Sequence, residues 1–316
     1  MIDLVAQSEL MREAVRLAER VAATDANVLV TGESGAGKDA LALYIHRRSP
    51  RAQRPLVKID CAALPSELLE AELFGYERGA FTGATQAKPG RLEASHKGTL
   101  VLDEIAYLTL DAQAKLLRVI ERREFERLGG RQTLRIDARL IASTNVDLDE
   151  AVKRRDFRPD LFYRLNVVRI HVPPLRERPR DVPELAARFV ETYAAKHGRR
   201  KLNLSREALA ALEGYDYPGN VRELSHVLER AVIMADGERI EAKDLPESIT
   251  VAGALRKRRE KRPTLSEIEA EYIAETLAHT KGNKSEAARL LGISRKNLYE
   301  RLARCRRDEG GGIRDE

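Results

Sequence analysis

The residues Gly32-Glu33-Ser34-Gly35-Ala36-Gly37-Lys38 have the spacing G-x-x-x-x-G-K, between an apolar run at 27–31 and an amphipathic stretch from Lys38 to about Arg47. In a strand–loop–helix setting, that spacing suits a phosphate. Glycines let backbone N–H groups turn inward around the anion, and the helix N-terminus adds partial positive charge. The Lys38 ammonium then reaches the β- and γ-phosphates. The next residue departs from the pattern, because Asp39 stands where a Ser or Thr hydroxyl would hold magnesium. A holder for the metal is offered further along, where Leu100-Val101-Leu102 ends in Asp103-Glu104. Hydrolysis of a nucleoside triphosphate needs phosphate charge neutralised and a water oriented, so Asp103 is assigned to Mg2+ and Glu104 to the water. Asn145 ends another apolar run and offers an amide to the γ-phosphate; an Asx turn after a strand explains it equally well. Arg158, Arg164 and Arg222, taken one at a time, read as ordinary solvated arginines.

These side chains need a scaffold. Residues 7–22 predict an amphipathic helix with Leu10, Ala14, Leu17, Ala18 and Val21 on one face. Strands are predicted at 27–31, 56–60, 99–102 and 139–143, with helices between them, notably 109–122. Strands alternating with helices predict an α/β fold with a mostly parallel sheet, and ligands at the carboxyl ends of its strands. After Pro173-Pro174 the pattern is helical only, at about 181–196, 205–213 and 219–234, which predicts a helical lid. The expected organisation is an α/β subdomain at 1–172, the lid at 173–250 and a charged linker at 251–263. An all-α unit at 264–307 and a disordered tail at 308–316 complete it.

Composition narrows the class. Hydrophobic residues make up 43% of the 316, enough for a real core. No apolar run approaches bilayer length, and Asp3, Glu9, Glu13 and Glu19 interrupt the first twenty residues, which argues against a membrane span or a secretory signal. Two cysteines, Cys61 and Cys305, are too few for a disulfide framework or a four-ligand zinc site, so a reducing, cytoplasmic setting is expected. The net charge is +6, and residues 251–316 carry 16 basic against 11 acidic side chains. A nearly neutral body with a basic end predicts a nucleic-acid contact at the C-terminus; a solvated basic tail gives the same count.

A second string changes the reading. Glu72-Leu73-Phe74-Gly75-Tyr76-Glu77-Arg78 runs into Gly79-Ala80-Phe81-Thr82-Gly83-Ala84, the sequence GAFTGA. With GESGAGK, Cys61-Ala62-Ala63-Leu64-Pro65, GTLVLDEI, LFYRLNV at 161–167, Pro174-Leu175-Arg176-Glu177-Arg178 and PGNVREL, the chain resembles the sigma-54-dependent transcriptional activators, bacterial enhancer-binding proteins of the AAA+ class. The resemblance spans nearly all of residues 1–250. It implies an AAA+ P-loop ATPase with a helical lid, acting as a ring that is usually a hexamer. Gly79 to Ala84 become the loop that touches sigma-54, with Phe81 and Thr82 as its contacts. The P-loop Gly32, Glu33, Ser34, Gly35, Ala36, Gly37 and Lys38 binds ATP. Asp103 and Glu104 become the magnesium and water-activating pair, and Asn145 the first sensor. Arg158 and Arg164 become arginine fingers offered to a neighbouring copy, and Arg222 the second sensor. The family commonly carries an acidic residue after the P-loop lysine, which accommodates Asp39. Two features depart from it. Asp60 stands where many members have an Asn that restrains the catalytic Glu, and an Asp facing Glu104 would repel it unless one were protonated. Met1 lies only about 30 residues before the P-loop, so regulation by another protein, an unregulated chain and a lost front all remain open.

At the other end, residues 283–294 read as helix, tight turn and helix start, with Gly292 in the turn and Ser294 as the next cap. Leu298 and Leu302, four apart, face a core, which leaves basic side chains outward. The unit looks like the Fis-type helix-turn-helix that closes many members of the family. Arg295, Lys296 and Asn297 are then expected near base edges of double-stranded DNA, and Arg301 and Arg304 near phosphates. Two functions follow. One is an ATP-driven activator that remodels sigma-54 RNA polymerase from closed to open complex. The other is a DNA-binding repressor or regulator whose ATPase module serves oligomerisation or ligand sensing; the intact GAFTGA and Glu104 favour the first.

Overall fold

The structure is a computed structural model that describes residues 4–199, 202–251, 265–280 and 282–309. The chain divides into two compact units, Met1–Thr250 and Val251–Glu316.

The first unit opens with helix α1 (Glu9–Ala22), capped by the Ser8 hydroxyl, which accepts from the Met11 amide. Strand β1 (Val28–Thr31) then leads through the glycine-rich turn into α2 (Lys38–Arg47). Next come β2 (Leu56–Asp60), α3 (Ser66–Phe74) and the short pair β3 (Gly75–Tyr76) and β4 (Lys88–Pro89). The turn α4 (Arg91–Ala94), β5 (Thr99–Asp103) and α5 (Leu110–Arg122) follow. After β6 (Glu124–Glu126) and β7 (Thr133–Arg135) the chain enters β8 (Arg139–Thr144), α6 (Leu148–Lys153), α7 (Pro159–Leu165) and β9 (Val168–His171).

Five of these strands form one parallel sheet in the order β2-β5-β8-β1-β9. Strands β1 and β8 are buried along their whole length, as expected of strands covered on both faces. One face packs Leu29, Leu100, Leu102, Leu140 and Ala142 against α3, α5 and α7; the other packs Val28, Val30, Val101 and Ile141 against α1 and α2. The parallel register aligns Asp60 with Asp103 and Thr31 with Thr144, so the chemistry-bearing ends share one edge.

One predicted face needs correcting. Leu10 is 48% exposed, and Met11 takes the core position beside Ala14, Ala18 and Val21. The buried stripe is centred toward Met11, which leaves Leu10 at its solvent edge.

Helices α8 (Val182–Lys196), α9 (Arg206–Glu213) and α10 (Asn220–Met234) form the lid around their own core of Leu212, Tyr217, Leu224 and Leu228. The lid is not purely helical: β10 (Asn203–Leu204) pairs in parallel with β11 (Arg239–Ile240). These strands are two residues each, too short for any alternation to show in sequence.

The second unit holds helices Leu265–His279, Lys284–Leu290 and Arg295–Glu309 around Ile273, Ala287, Ala288 and Leu298. The last helix takes in Asp308 and Glu309, the first two residues of the expected tail. The rest of the expected tail, 310–316, and nearly all of the expected linker, 252–263, lie outside the described residues. Among the described residues no helix is long and apolar enough to cross a membrane.

Candidate functional site

Where β1 ends, the chain adopts a loop that few sequences allow. Gly32, Gly35 and Gly37 have φ of 150°, 73° and 106°. A Cβ on Gly32 would sit 2.6 Å from the Val172 carbonyl, and one on Gly35 2.5 Å from that of Gly219. Gly37 has open space on that side, so its backbone is free to approach a ligand. The loop borders a cleft of about 500 Å3 lined by Ser34, Gly35, Gly37, Lys38, Asp39, Asp103, Glu104, Phe189, Val221, Arg222 and Ser225.

Lys38 is buried to 6% exposure, and its Nζ donates to the carbonyls of Gly32 at 3.0 Å and Glu33 at 3.3 Å. It also lies 3.1 Å from Glu104 Oε1. The second Glu104 oxygen accepts from the Asn145 backbone amide at 2.9 Å. Glu104 sits in the left-handed region at φ 54°, just past the end of β5, and this turns its carboxylate back over the loop. Asp103 Oδ1 accepts from Ser143 Oγ at 2.6 Å, and Oδ2 lies 2.8 Å from Lys58 Nζ. Burial pushes the Asp103 carboxyl upward, but the hydrogen bonds from Lys58 and Ser143 prevail and hold it below the usual carboxylate range.

The lid closes one wall. Asn220 is fully buried at the start of α10; its Nδ2 donates to Glu33 Oε2 at 3.1 Å and to the Ser34 carbonyl at 3.0 Å, and its Oδ1 accepts from the Leu175 amide at 2.8 Å. Arg176 donates to Glu33 at 2.8 Å, and Arg222 donates to Ser34 Oγ at 3.0 Å. Hydrogen bonds from Arg176 and Asn220 hold the Glu33 carboxyl down at about 2.

The structure thus brings together Lys38, Asp39, Asp103, Glu104, Asn145 and Arg222. Asp60 lies at the same sheet edge, but its Oδ1 accepts from its own chain's Ala62 amide at 2.9 Å, while Glu104 is held by Lys38 and Asn145. Arg158 forms a two-pronged pair with Asp160 at 3.0 and 2.7 Å, and Arg164 meets Glu121 at 3.0 Å. Neither arginine lines the cleft. Single-residue reading passed over Lys58 and Asn220. The signals were a lysine inside the apolar strand LVKID, and an Asn between Gly219 and a helix.

The Gly79–Ala84 loop crowns the β3–β4 hairpin. Gly79 and Gly83 have φ of 84° and 102°, and the loop closes through Gly79 N–H to the Ala84 carbonyl at 2.8 Å. Phe81 is 43% exposed and meets Tyr76 edge-on at 5.0 Å. The β6–β7 hairpin braces this loop. Arg127 donates to Glu77 at 3.0 Å and to Glu93 at 2.7 and 2.9 Å, and the Leu128 amide donates to the Gly75 carbonyl at 2.9 Å.

In the C-terminal unit, Asn283 and Ser294 cap the second and third helices, and Gly292 turns between them at φ 65°. Arg295 and Lys296 are exposed. Arg301 is engaged within the unit, by Glu269 and by Asn297 Oδ1 at 3.1 Å. The side chain of Arg304 lies outside those described.

Comparison with known proteins agrees with this layout. A Sigma-54 interaction domain matches residues 4–171, an AAA+ ATPase lid domain 176–262, and a bacterial regulatory protein domain of the Fis family 264–304. The regulatory protein AtoC of Escherichia coli is 43% identical over 95% of this chain and 67% of its own length. The transcriptional regulatory protein ZraR of Klebsiella oxytoca is 47% identical over 95% of this chain and 68% of its own. The crystal structure of NtrX from Brucella abortus with ADP superposes at a TM-score of 0.72, with 35% identity over 96% of this chain and 69% of that one. A P-loop NTPase sheet, a lid and a helix-turn-helix, carried on one chain with the matching domain sequences, place this protein among the sigma-54-dependent transcriptional activators.

Proposed function

We propose that this chain binds ATP in the cleft between P-loop and lid, hydrolyses it at the boundary between copies of a hexameric ring like that of its family, and spends the cycle on converting sigma-54 RNA polymerase from the closed to the open promoter complex. The observation that carries the reading is the convergence of Lys38, Asp103 and Glu104 on one cleft. Lys38 and the loop amides bind the phosphates. Glu104, held by the Asn145 amide, orients the attacking water, so Asn145 moves the base as it senses the phosphate. Arg222 binds the nucleotide from the lid side. Arg158 and Arg164, outside the cleft of their own chain, serve a neighbour's.

The donor set fits magnesium. The groups at hand are hard carboxylate oxygens, and among the described residues no three His, Cys, Asp or Glu side chains form a protein-only cage. Magnesium is usually bound by one or two carboxylates plus substrate phosphates. Asp103 and Asp39 would hold it, and when bound it supplies neutralisation of phosphate charge.

NtrX has been solved with ADP and with ATP, which supports the nucleotide assignment here. The exposed Phe81 and Thr82, on glycine hinges, offer the contact to sigma-54. Arg295, Lys296 and Asn297 would read upstream double-stranded DNA. The test is open-complex formation by sigma-54 polymerase on a promoter with the upstream site. Thr82→Ala is expected to abolish it while sparing hydrolysis and DNA binding; full activity of that variant would overturn the assignment.

A further inference from the structure

The cation already present in the metal region is a side chain. Lys58 rises from the middle of β2, and its Nζ lies 2.6 Å from Asp39 Oδ2 and 2.8 Å from Asp103 Oδ2. Those carboxylates belong to the residue after the P-loop lysine and to the residue ending β5. In P-loop NTPases these two positions share the magnesium, with a neutral hydroxyl at the first. Here the first position is an anion as well. Two carboxylates converging on one point repel each other. Lys58 offsets that: its Nζ donates to Asp39 Oδ2 and pairs with Asp103 Oδ2, so one positive side chain sits between the two carboxylates.

We propose that Lys58 is a resident counter-ion of the metal subsite: bridging Asp39 and Asp103, it lets nucleotide phosphates enter before the metal does, and the metal must then compete with it for Asp103. This rests on the ATP-binding reading above. Without Lys58, incoming phosphates would meet two less compensated carboxylates, and more of the offset would have to come from a divalent cation. Lys58 therefore loosens the dependence of nucleotide binding on metal. It is a positioning and charge-setting residue.

The test measures binding of a fluorescent ADP to the full chain, in excess EDTA and in excess Mg2+, with no turnover involved. The readout is the ratio of the two dissociation constants. Lys58→Met keeps the stem and removes the charge; it is expected to weaken binding in EDTA and widen the ratio about tenfold, the size of one unit charge a few ångströms away in a half-solvated site. Lys58→Arg keeps the charge and is expected to stay within about twofold of the parent ratio. A Lys58→Met ratio equal to the parent's, or a Lys58→Arg ratio as wide as that of Lys58→Met, overturns the proposal. Asp103→Asn separates the two layers. If it narrows the ratio while Lys58→Met does nothing, the metal site stands and only the counter-ion role fails. If Asp103→Asn leaves the ratio at the parent value, the site assignment itself fails.

Discussion

Replacing Asn220 by Ala tests whether the lid is tied to the P-loop through one buried amide. The side chain is fully buried and makes three hydrogen bonds, to the Leu175 amide, the Ser34 carbonyl and Glu33. Removing it strands a buried donor on Leu175 and an acceptor on Ser34, at a cost of about 1–3 kcal/mol. Asn220 also sits at φ 54°, where an Ala pays about 1–2 kcal/mol and an Asn less. Asn220→Ala should therefore cost about 2–5 kcal/mol. Asn220→Gly loses the same hydrogen bonds but none of the conformational fit, so it should recover about 1 kcal/mol or more of that. At about 2–4 °C per kcal/mol for a unit of this size, thermal unfolding followed by circular dichroism resolves both steps. The same variants should bind a fluorescent nucleotide more weakly, because the Ser34 backbone is no longer fixed. An Asn220→Ala protein as stable as the parent, or an Asn220→Gly protein less stable than Asn220→Ala, would refute the reasoning.

Two further outcomes follow from the site. Arg158→Ala and Arg164→Ala should retain nucleotide affinity while turnover falls by about 10³–10⁵ where a finger acts in trans; hydrolysis at the parent rate by both would remove the finger assignment. Glu33 supplies a pH signature. Its carboxyl stands at about 2 in the fold against an ordinary 4.5, so the stability it contributes is present above pH 4.5 and is lost as pH falls toward 2. Glu33→Gln should flatten the melting temperature against pH in that window, and parallel profiles for parent and variant would show that the Arg176–Glu33–Asn220 contact does not tie lid to loop.

Much of the scaffold was legible because its signals are local. The buried strands β1 and β5 each carry a short apolar run, and Ser294 marks a helix start by satisfying a free amide. The lid pairing of β10 with β11 escaped because two residues cannot show a period, and its partners lie far apart in the chain. Leu10 was misassigned because it lies at the edge of the apolar stripe, where Ala14, Ala18 and Val21 are shared with Met11 and only packing decides which edge is covered. The pairing of Arg301 with Glu269 of another helix was likewise not readable, because packing sets it.

The order of residues by itself determined that a phosphate loop, an acidic strand end, a glycine-hinged loop and a basic terminal helix exist, since each is written in contiguous residues whose types have few other uses. It also set which side chains carry charge. Only the tertiary structure decided which charges meet. The parallel register set Asp60 beside Asp103, the left-handed turn at Glu104 aimed that carboxylate at Lys38, and the lid delivered Asn220 and Arg222 to Ser34 from nearly 190 residues away. Lys58 reached between Asp39 and Asp103 for the same reason: electrostatic partners are chosen by distance in space, and a linear chain does not record that distance.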